Sequence, residues 1–436
     1  MQPPPSCLIV LFLLLPFTQI YGLPRLQDAY GNVNFETSCS PQVESTFNVA
    51  LSKLYSFWYK EARLEFDDIY ASDNDCCIAL YFSAMSLTHP IWDFISAARL
   101  DETESYARNA SACAVRPKVH PTNAREVAYI NALAQYANQS DPSLSEPAAR
   151  LDKYAQSLEE VFYVFGHEDP NASILYGLSL LAVGYYSETE PTAGFPKLSL
   201  AGLIEESILL RVPFSPGALH YVIHSYDQPA LANRALSAAY SYLNASTAVP
   251  HALHMPSHIF SDLGLWQDMV FSNVLSLNTA YSESQDTTGD WYHGAYFLQF
   301  GMLQLAMDCD AEAFLSIFQN TLSVSVFDNN LEAALRVPIH YYIETRNWVD
   351  AAEFSLRDFY NSVPETVWKQ QKWTLVYENF LATVGKAMLG RPVQEIIASC
   401  AALSAAGSAL QNDAAWTTYQ LPYWRKQFET MVKVLL

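Results

Sequence analysis

The chain has few of the residues on which several common classes of protein depend. Only 15 of its 436 residues are glycine, and no P-loop, GxGxxG, GxSxG or HExxH motif occurs, so nothing indicates nucleotide binding, serine hydrolysis or a zincin. Its 24 Lys and Arg stand against 45 Asp and Glu, a net charge of −21. Nucleic acids and anionic membranes are bound through clustered Lys and Arg, so this acidity disfavours both as partners. Half of the residues are hydrophobic, which excludes an intrinsically disordered chain.

The chain also lacks a hydrophobic run long enough to span a bilayer. The apolar run from Cys7 to Phe17 has eleven residues, fewer than the roughly 20 of a membrane helix. Polar residues and the small Gly22 follow, so we predict a secretory signal peptide over residues 1–22. With no membrane span expected elsewhere, the mature protein is predicted to be secreted or to remain in the lumen of the secretory pathway.

Glycosylation sequons agree with that location. Asn-x-Ser sequons begin at Asn109, Asn138, Asn171 and Asn244. Each permits a surface glycan on a protein of the secretory pathway.

The cysteines point the same way. Once the signal peptide is removed, an even number remains: Cys39, Cys76, Cys77, Cys113, Cys309 and Cys400. There is no CxxC pair to suggest a zinc–thiolate site, so disulfides are favoured. Adjacent cysteines rarely pair with each other, and we therefore expect Cys39 to pair with Cys76 or Cys77, Cys113 with the other, and Cys309 with Cys400.

Apolar residues recur at helical spacing through nearly the whole chain. Phe47, Leu51, Leu54 and Trp58 lie three or four residues apart, as on one face of a helix, and strand-like alternation is scarce. Prolines fall in short breaks, where each is expected to end or start a helix. The sequence therefore predicts an all-α protein with short connections.

One motif repeats at a fixed interval. His220-Tyr-Val-Ile-His224 and His254-Met-Pro-Ser-His258 both read HxxxH, and their first histidines are 34 residues apart. This is the period of the tetratricopeptide repeat, a pair of antiparallel helices that stacks on its neighbours. The turn-like stretch around Gly264 and a similar pattern before Trp348 fit the same repeat. We predict a right-handed α-solenoid of helix-turn-helix repeats, forming a single domain over residues 23–436.

Several stretches carry a resemblance to a known group of proteins. They are GNVNFETSCSP from Gly31, SFWY from Ser56, HPIW from His89, PGALHYVIHSYD from Pro216 and HALHMPSHIF from His251. Together they resemble a family of tetratricopeptide-repeat-like proteins found widely in bacteria and also in eukaryotes, over roughly residues 31–360. Ser215 departs from that pattern, which has a histidine before the proline. The resemblance implies the helical-repeat fold and no particular reaction, because the group has no settled biochemical role.

Half of the ten histidines are concentrated in one short stretch, at His220, His224, His251, His254 and His258. Residues four apart on a helix share a face, so each HxxxH can chelate a metal ion. The repeat register places both HxxxH pairs at the fifth and ninth positions of successive first helices, which stack about 10 Å apart. Four imidazoles are then expected to converge in a concave groove.

This donor set suits a borderline transition metal. With imidazoles and no thiolate, we predict a copper or zinc ion held by the two HxxxH pairs, with His251 assisting; five or six histidines could hold a pair of ions. Asp227 is predicted to orient a ligating imidazole or to move a proton. Two alternatives stay open: polar contacts to a groove ligand, and structural hydrogen bonds. His89 and Trp92 are expected to be structural core residues.

The leading functional hypothesis is a secreted metalloprotein, an oxidative or hydrolytic tailoring enzyme acting on a small molecule or peptide in the groove. The competing hypothesis is a non-catalytic module of the secretory pathway that binds a peptide or a protein partner there. A third is a scaffold that assists a neighbouring enzyme.

Overall fold

The computed structural model describes residues 29–92, 95–117, 121–186, 195–284, 289–321, 331–360, 363 and 372–411. The predicted signal peptide, residues 1–22, lies outside these ranges. Within them the regular secondary structure is α-helical apart from one short 3-10 helix, and no strand occurs. The all-α prediction is thereby confirmed. The described helices include none that is both long and apolar enough to cross a membrane.

The described residues divide into two compact units that meet in sequence between Leu263 and Gly264. The first unit contains twelve of the described helices: α1 (Glu44–Tyr55), α2 (Tyr59–Ser72), α3 (Cys77–Thr88), α4 (Ala97–Val115), α5 (Ala124–Ala137), α6 (Pro147–Phe165), α7 (Pro170–Tyr186), α8 (Phe195–Leu209), α9 (Pro216–Tyr226), α10 (Ala232–Ala245), α11 (Pro250–His254) and α12 (Pro256–Asp262).

The second unit has the same helical character. Its described helices are α13 (Trp266–Ser284), α14 (Gly289–Gln304), α15 (Asp308–Thr321), α16 (Leu331–Glu344), α17 (Trp348–Ala352), α18 (Leu356–Phe359), α19 (Lys372–Met388) and α20 (Val393–Gln411).

Helices of the first unit pack mainly on their neighbours in sequence, from α1 against α2 through α9 against α10. This is the packing that a helical-repeat array requires, although the solenoid and its hand stay predictions, as does the single domain over 23–436. Two contacts between helices that are not neighbours in sequence matter for the site, because α9 also packs on α1 and on α7. The contact with α1 places the end of that helix against the HxxxH motif of α9.

Proline sets where several of these helices begin. Pro147, Pro216, Pro250 and Pro256 stand in the first turns of α6, α9, α11 and α12, where the missing N–H leaves no helical bond unmade and the fixed φ favours the helix. The expectation that prolines end or start helices is confirmed at Pro216 and Pro250, which both start one. Because they are separated by the repeat interval, α9 and α11 carry their histidines in the same register.

Two disulfides fasten the first helices. Cys39 is bonded to Cys76, which joins the segment before α1 to the start of α3, and Cys77 is bonded to Cys113, which joins α3 to α4. Both bonds belong to the expected set. The separation of the adjacent cysteines onto different partners is thereby confirmed.

The third expected disulfide is wrong. Cys309 and Cys400 are both free thiols. Cys309 lies on α15, which packs mainly on α14 and α16, whereas Cys400 lies on α20, which packs mainly on α19. The two cysteines are therefore carried by helices with different neighbours.

One of the four glycosylation sequons begins at a buried asparagine. Asn109, Asn138 and Asn244 are exposed, as a glycan requires. Asn171 is buried, and its Nδ2 donates to the carbonyl of Asn34 and to Asp169 Oδ1. Its amide nitrogen holds the segment before α1 in place and cannot carry a sugar in the folded chain.

Candidate metal centre

The first histidine pair lies on α9. Ser215 caps this helix by accepting from the backbone N–H of Ala218, so the serine that departs from the family pattern has a local role. His220 and His224 occupy the fifth and ninth positions of the helix and are both buried. Their Nε2 atoms are 3.1 Å apart. Sequence spacing alone predicted this pair.

The carbonyl oxygen of Tyr55, at the end of α1, determines how His220 is oriented. It lies 2.7 Å from His220 Nδ1, and a carbonyl only accepts, so Nδ1 carries the proton and Nε2 presents a lone pair. Burial lowers the pKa of His220 to about 3, partly offset by this hydrogen bond. The ring is therefore neutral at physiological pH, the state in which imidazole binds metal.

His251 completes a three-histidine group with this pair. It is the second residue of α11, and it is buried. One ring nitrogen from each of His220, His224 and His251 can be chosen so that all three lie within 4.8 Å of one another. Three imidazoles gathered in this way match the protein ligand set of a zinc or copper site.

The second histidine pair lies across the junction of α11 and α12. His254 ends α11, Pro256 starts α12, and the Nε2 atoms of His254 and His258 are 3.1 Å apart. Pro256 interrupts the helix as expected. A proline usually disfavours helical dihedrals in the residue before it, yet Met255 keeps dihedrals of −53° and −37°. The helical path continues through the break, so the i, i+4 pair still shares a face.

Two carboxylates accompany the second pair. Asp227 follows the end of α9, and its Oδ2 lies 2.9 Å from His258 Nδ1. Asp227 thus orients a candidate ligand, one of the two roles predicted for it. Burial raises the pKa of Asp262 to about 6, and the negative charge of Asp227 adds to the rise.

The grouping of the histidines differs from the expected one. A single site of four imidazoles was predicted, with His251 assisting. The structure instead groups His251 with His220 and His224, and pairs His254 with His258. His251 and His254 stand three residues apart on one helix, with ring centroids separated by 6.0 Å. His251 thus faces the α9 pair while His254 faces His258.

An aromatic wall beside the triad was missed at the sequence level. Phe57, between α1 and α2, has its ring centroid 4.4, 5.6 and 5.8 Å from those of His220, His224 and His251. Trp92 lies edge-on to His251, with centroids 5.2 Å apart, and is 45% exposed. The expectation that Trp92 is a core residue is wrong. The SFWY and HPIW stretches, which contain Phe57 and Trp92, were the sequence signal that could have predicted this wall, because both lie beside the triad in the structure.

Three residues in or next to this aromatic wall have an uncommon backbone conformation. Phe57, His89 and Ile91 have φ of +57°, +41° and +67°, in the left-handed region that side chains other than glycine seldom adopt. His89 is half-buried, stacks on Tyr59, and has its Nδ1 2.5 Å from Arg99 Nη1. Backbone strain of this kind often accompanies functional sites.

No model of a known protein family matches the chain, and no curated protein or solved structure matches it either. The tetratricopeptide-like family therefore remains a resemblance carried by the motifs.

Proposed function

We propose that the protein is a metalloprotein in which His220, His224 and His251 bind one copper or zinc ion. The observation that carries this proposal is the convergence of three imidazole nitrogens within 4.8 Å. Two features support it. The Nδ1 proton of His220 is engaged by a backbone carbonyl, which leaves Nε2 for a metal. Burial keeps the same ring neutral.

The choice of copper or zinc follows from the ligands. Imidazole suits both ions, and the triad contains no thiolate or carboxylate. Three protein ligands would leave a coordination position for water or substrate, which is the arrangement of catalytic rather than structural zinc sites. We therefore favour an oxidative or hydrolytic tailoring enzyme that acts on a small molecule or peptide.

The non-catalytic interaction module is the competing proposal. A partner peptide would be bound by polar contacts, and the histidines would serve as hydrogen-bonding groups. The half-exposed Trp92 beside the triad is an observation in its favour, because tryptophan is enriched where proteins bind partners. Metal content separates the two proposals.

Secretion and repeat architecture complete the proposal. We infer that the mature chain is an α-solenoid of tetratricopeptide-like repeats delivered to the secretory pathway. Two disulfides in the described residues support an oxidising compartment. The sequential packing of the helices supports the repeat.

The deciding experiment measures metal in full-length mature protein purified without a histidine tag. We expect equilibrium dialysis against Cu²⁺ or Zn²⁺ to load the triad. The double substitution His224→Ala with His251→Ala should remove that ion while circular dichroism stays helical. His167→Ala, at an exposed histidine, is the matched control and should retain it.

The opposite result is equally clear. If folded wild-type protein takes up neither ion, the metal proposal is wrong and the interaction module stands. Uptake that is unchanged in the double variant would contradict the assignment to the triad.

A further inference from the structure

We propose that His254 and His258 bind a second transition-metal ion, next to the triad, with Asp227 orienting His258. The catalytic relevance of this second ion rests on the metalloprotein function proposed above, whereas its binding can be measured separately.

The converging nitrogens repeat the geometry of the first pair. In both HxxxH motifs the two Nε2 atoms face each other at 3.1 Å. An ion placed between two such atoms takes one lone pair from each ring. Two unrelated local environments, an uninterrupted helix at α9 and a proline-interrupted one at α11 and α12, give the same separation.

The orientation of His258 is fixed from the other side of its ring. Asp227 Oδ2 accepts from His258 Nδ1 at 2.9 Å, so Nδ1 carries the proton and the Nε2 lone pair points at His254. Ligating histidines in metal sites commonly have such a carboxylate behind them, which fixes the tautomer and raises the basicity of the ligand. Asp227 is accordingly a positioning residue for the second ion.

Exposure distinguishes the two positions. The side chains of His258 and Asp227 are 18% and 23% exposed. His254 is as buried as the triad, whose members are at most 8% exposed, so the second position meets solvent on its His258 side. An ion held by this pair needs further donors to complete its coordination, and water or an oxygen of a substrate can supply them. The His258 side of the second position is therefore the side from which a substrate could reach an ion from solution.

Adjacency makes the two positions parts of one centre. His251 belongs to the triad and His254 to the second pair, and their ring centroids are 6.0 Å apart. Neighbouring ions of this kind can polarise two atoms of one substrate, as in two-metal sites. The rival arrangement has no metal: His254 Nε2–H would donate directly to His258 Nε2, giving a hydrogen-bonded chain that ends at Asp227.

The test counts ions in the full-length protein. Zn²⁺ is titrated by calorimetry into metal-free wild type, and stoichiometry is checked by elemental analysis. We expect two ions per chain. The double substitution His254→Ala with His258→Ala should leave one, and His220→Ala with His224→Ala should leave one at the other position.

Asp227→Asn provides a milder variant in case the double substitutions do not fold. Loss of the carboxylate behind His258 should weaken the second ion by about 10- to 100-fold and leave the first ion unchanged. With Cu²⁺, paramagnetic resonance of wild type should show coupling between neighbouring ions, and the coupling should vanish in the His254→Ala, His258→Ala protein. His167→Ala again serves as the control.

Three results would overturn the second site. One ion in wild type that survives His254→Ala with His258→Ala overturns it and leaves the triad in place. One ion that either double substitution abolishes means a single shared site. No ion at all overturns this proposal and the proposed function together.

Discussion

At the scale of single residues, the first unit contains a fully buried glutamate. Glu205 on α8 is fully buried, and within the described part of the chain neither of its carboxyl oxygens has a hydrogen-bond partner. Burial raises the pKa of Glu205 well above its ordinary value. A Cβ at Gly177 of α7 would come within 2.0 Å of Glu205 Oε1, so glycine is required for the acid to fit. The folded chain therefore holds this carboxyl in its neutral form.

A neutral Glu205 makes stability depend on pH in a definite direction. Below the pKa of glutamate in the unfolded chain, both states are protonated and Glu205 has no pH effect. Above it the unfolded state loses the proton and the folded state does not, so stability falls by about 1.4 kcal/mol for each pH unit until the folded-state pKa is reached. Glu205→Gln removes the titration. We expect the variant to gain stability over wild type as the pH rises from 4.5 to 7.

Urea unfolding at the two pH values measures this difference. Glu160→Gln, at an exposed glutamate on α6, is the control and should show no such gain. A Glu205→Gln advantage that stays constant across the range would mean that Glu205 is ionised in the folded chain.

At the scale of helices, a single kind of ending recurs. After α1, the N–H of Trp58 donates to the carbonyl of Lys53, with Phe57 in the left-handed conformation. The same hydrogen bond, from a backbone N–H to the carbonyl five residues earlier, ends α14, α16 and α19. The residue before the donor is again left-handed: Ala306, Arg346 and Gly390. Glycine is the residue most often found at this left-handed position, yet three of the four helices have a residue with a side chain there. The repeated ending is what joins successive helices through short turns.

Two left-handed positions in the second unit allow the preference for glycine to be measured, by introducing glycine at one and removing it at the other. Arg346 is exposed with φ of +56°, and Gly390 has φ of +63° with nothing within 4 Å of an added Cβ. A left-handed conformation costs an L-residue about 1–2 kcal/mol. We expect Arg346→Gly to stabilise the protein by about 1 kcal/mol and Gly390→Ala to destabilise it by a similar amount.

Thermal or urea unfolding of the pair provides the measurement. Arg346→Ala keeps the strain and removes the guanidinium, so it should leave stability nearly unchanged. If Arg346→Gly were no more stable than Arg346→Ala, the left-handed conformation at this turn would be refuted.

The sequence predicted the parts of the site that depend on local spacing. The HxxxH pairs and the helix starts at Pro216 and Pro250 follow from intervals of four and 34 residues, which are properties of one helix and one repeat. The position of Tyr55 behind His220 could not be predicted, because 165 residues separate the two. The place of Trp92 beside His251 could not be predicted either, because these two residues are also far apart in the sequence. The grouping of His251 with the α9 pair depends on ring directions that spacing does not specify.

At the scale of the whole molecule, charge and redox chemistry describe the environment that the protein suits. A net charge of −21 draws cations toward the surface and repels nucleic acid. The Cys39–Cys76 and Cys77–Cys113 bonds span sequence separations of 37 and 36 residues. Bonds of that span stabilise a fold by roughly 3–4 kcal/mol through the unfolded chain. They require an oxidising compartment, as the proposed secretory location provides.

The thiol inventory of the mature chain is a direct test of this picture. Denatured but unreduced protein should react with an alkylating reagent at Cys309 and Cys400 alone, because these are the free thiols. Reduction should expose the remaining four cysteines. Mass spectrometry of the labelled peptides reads out both states. Labelling that leaves Cys309 and Cys400 unmodified would show that they are bonded after all.

Adjacent Cys76 and Cys77 make the pairing itself hard to read from peptides, since no common protease cuts between them. Single substitutions resolve it, because each releases the thiol of one partner. Cys76→Ser should add Cys39 to the labelled set, and Cys77→Ser should add Cys113. If Cys76→Ser released Cys113 instead, the connectivity would be crossed. The segment before α1 would then be bonded to α3 through Cys77, one residue further along the chain.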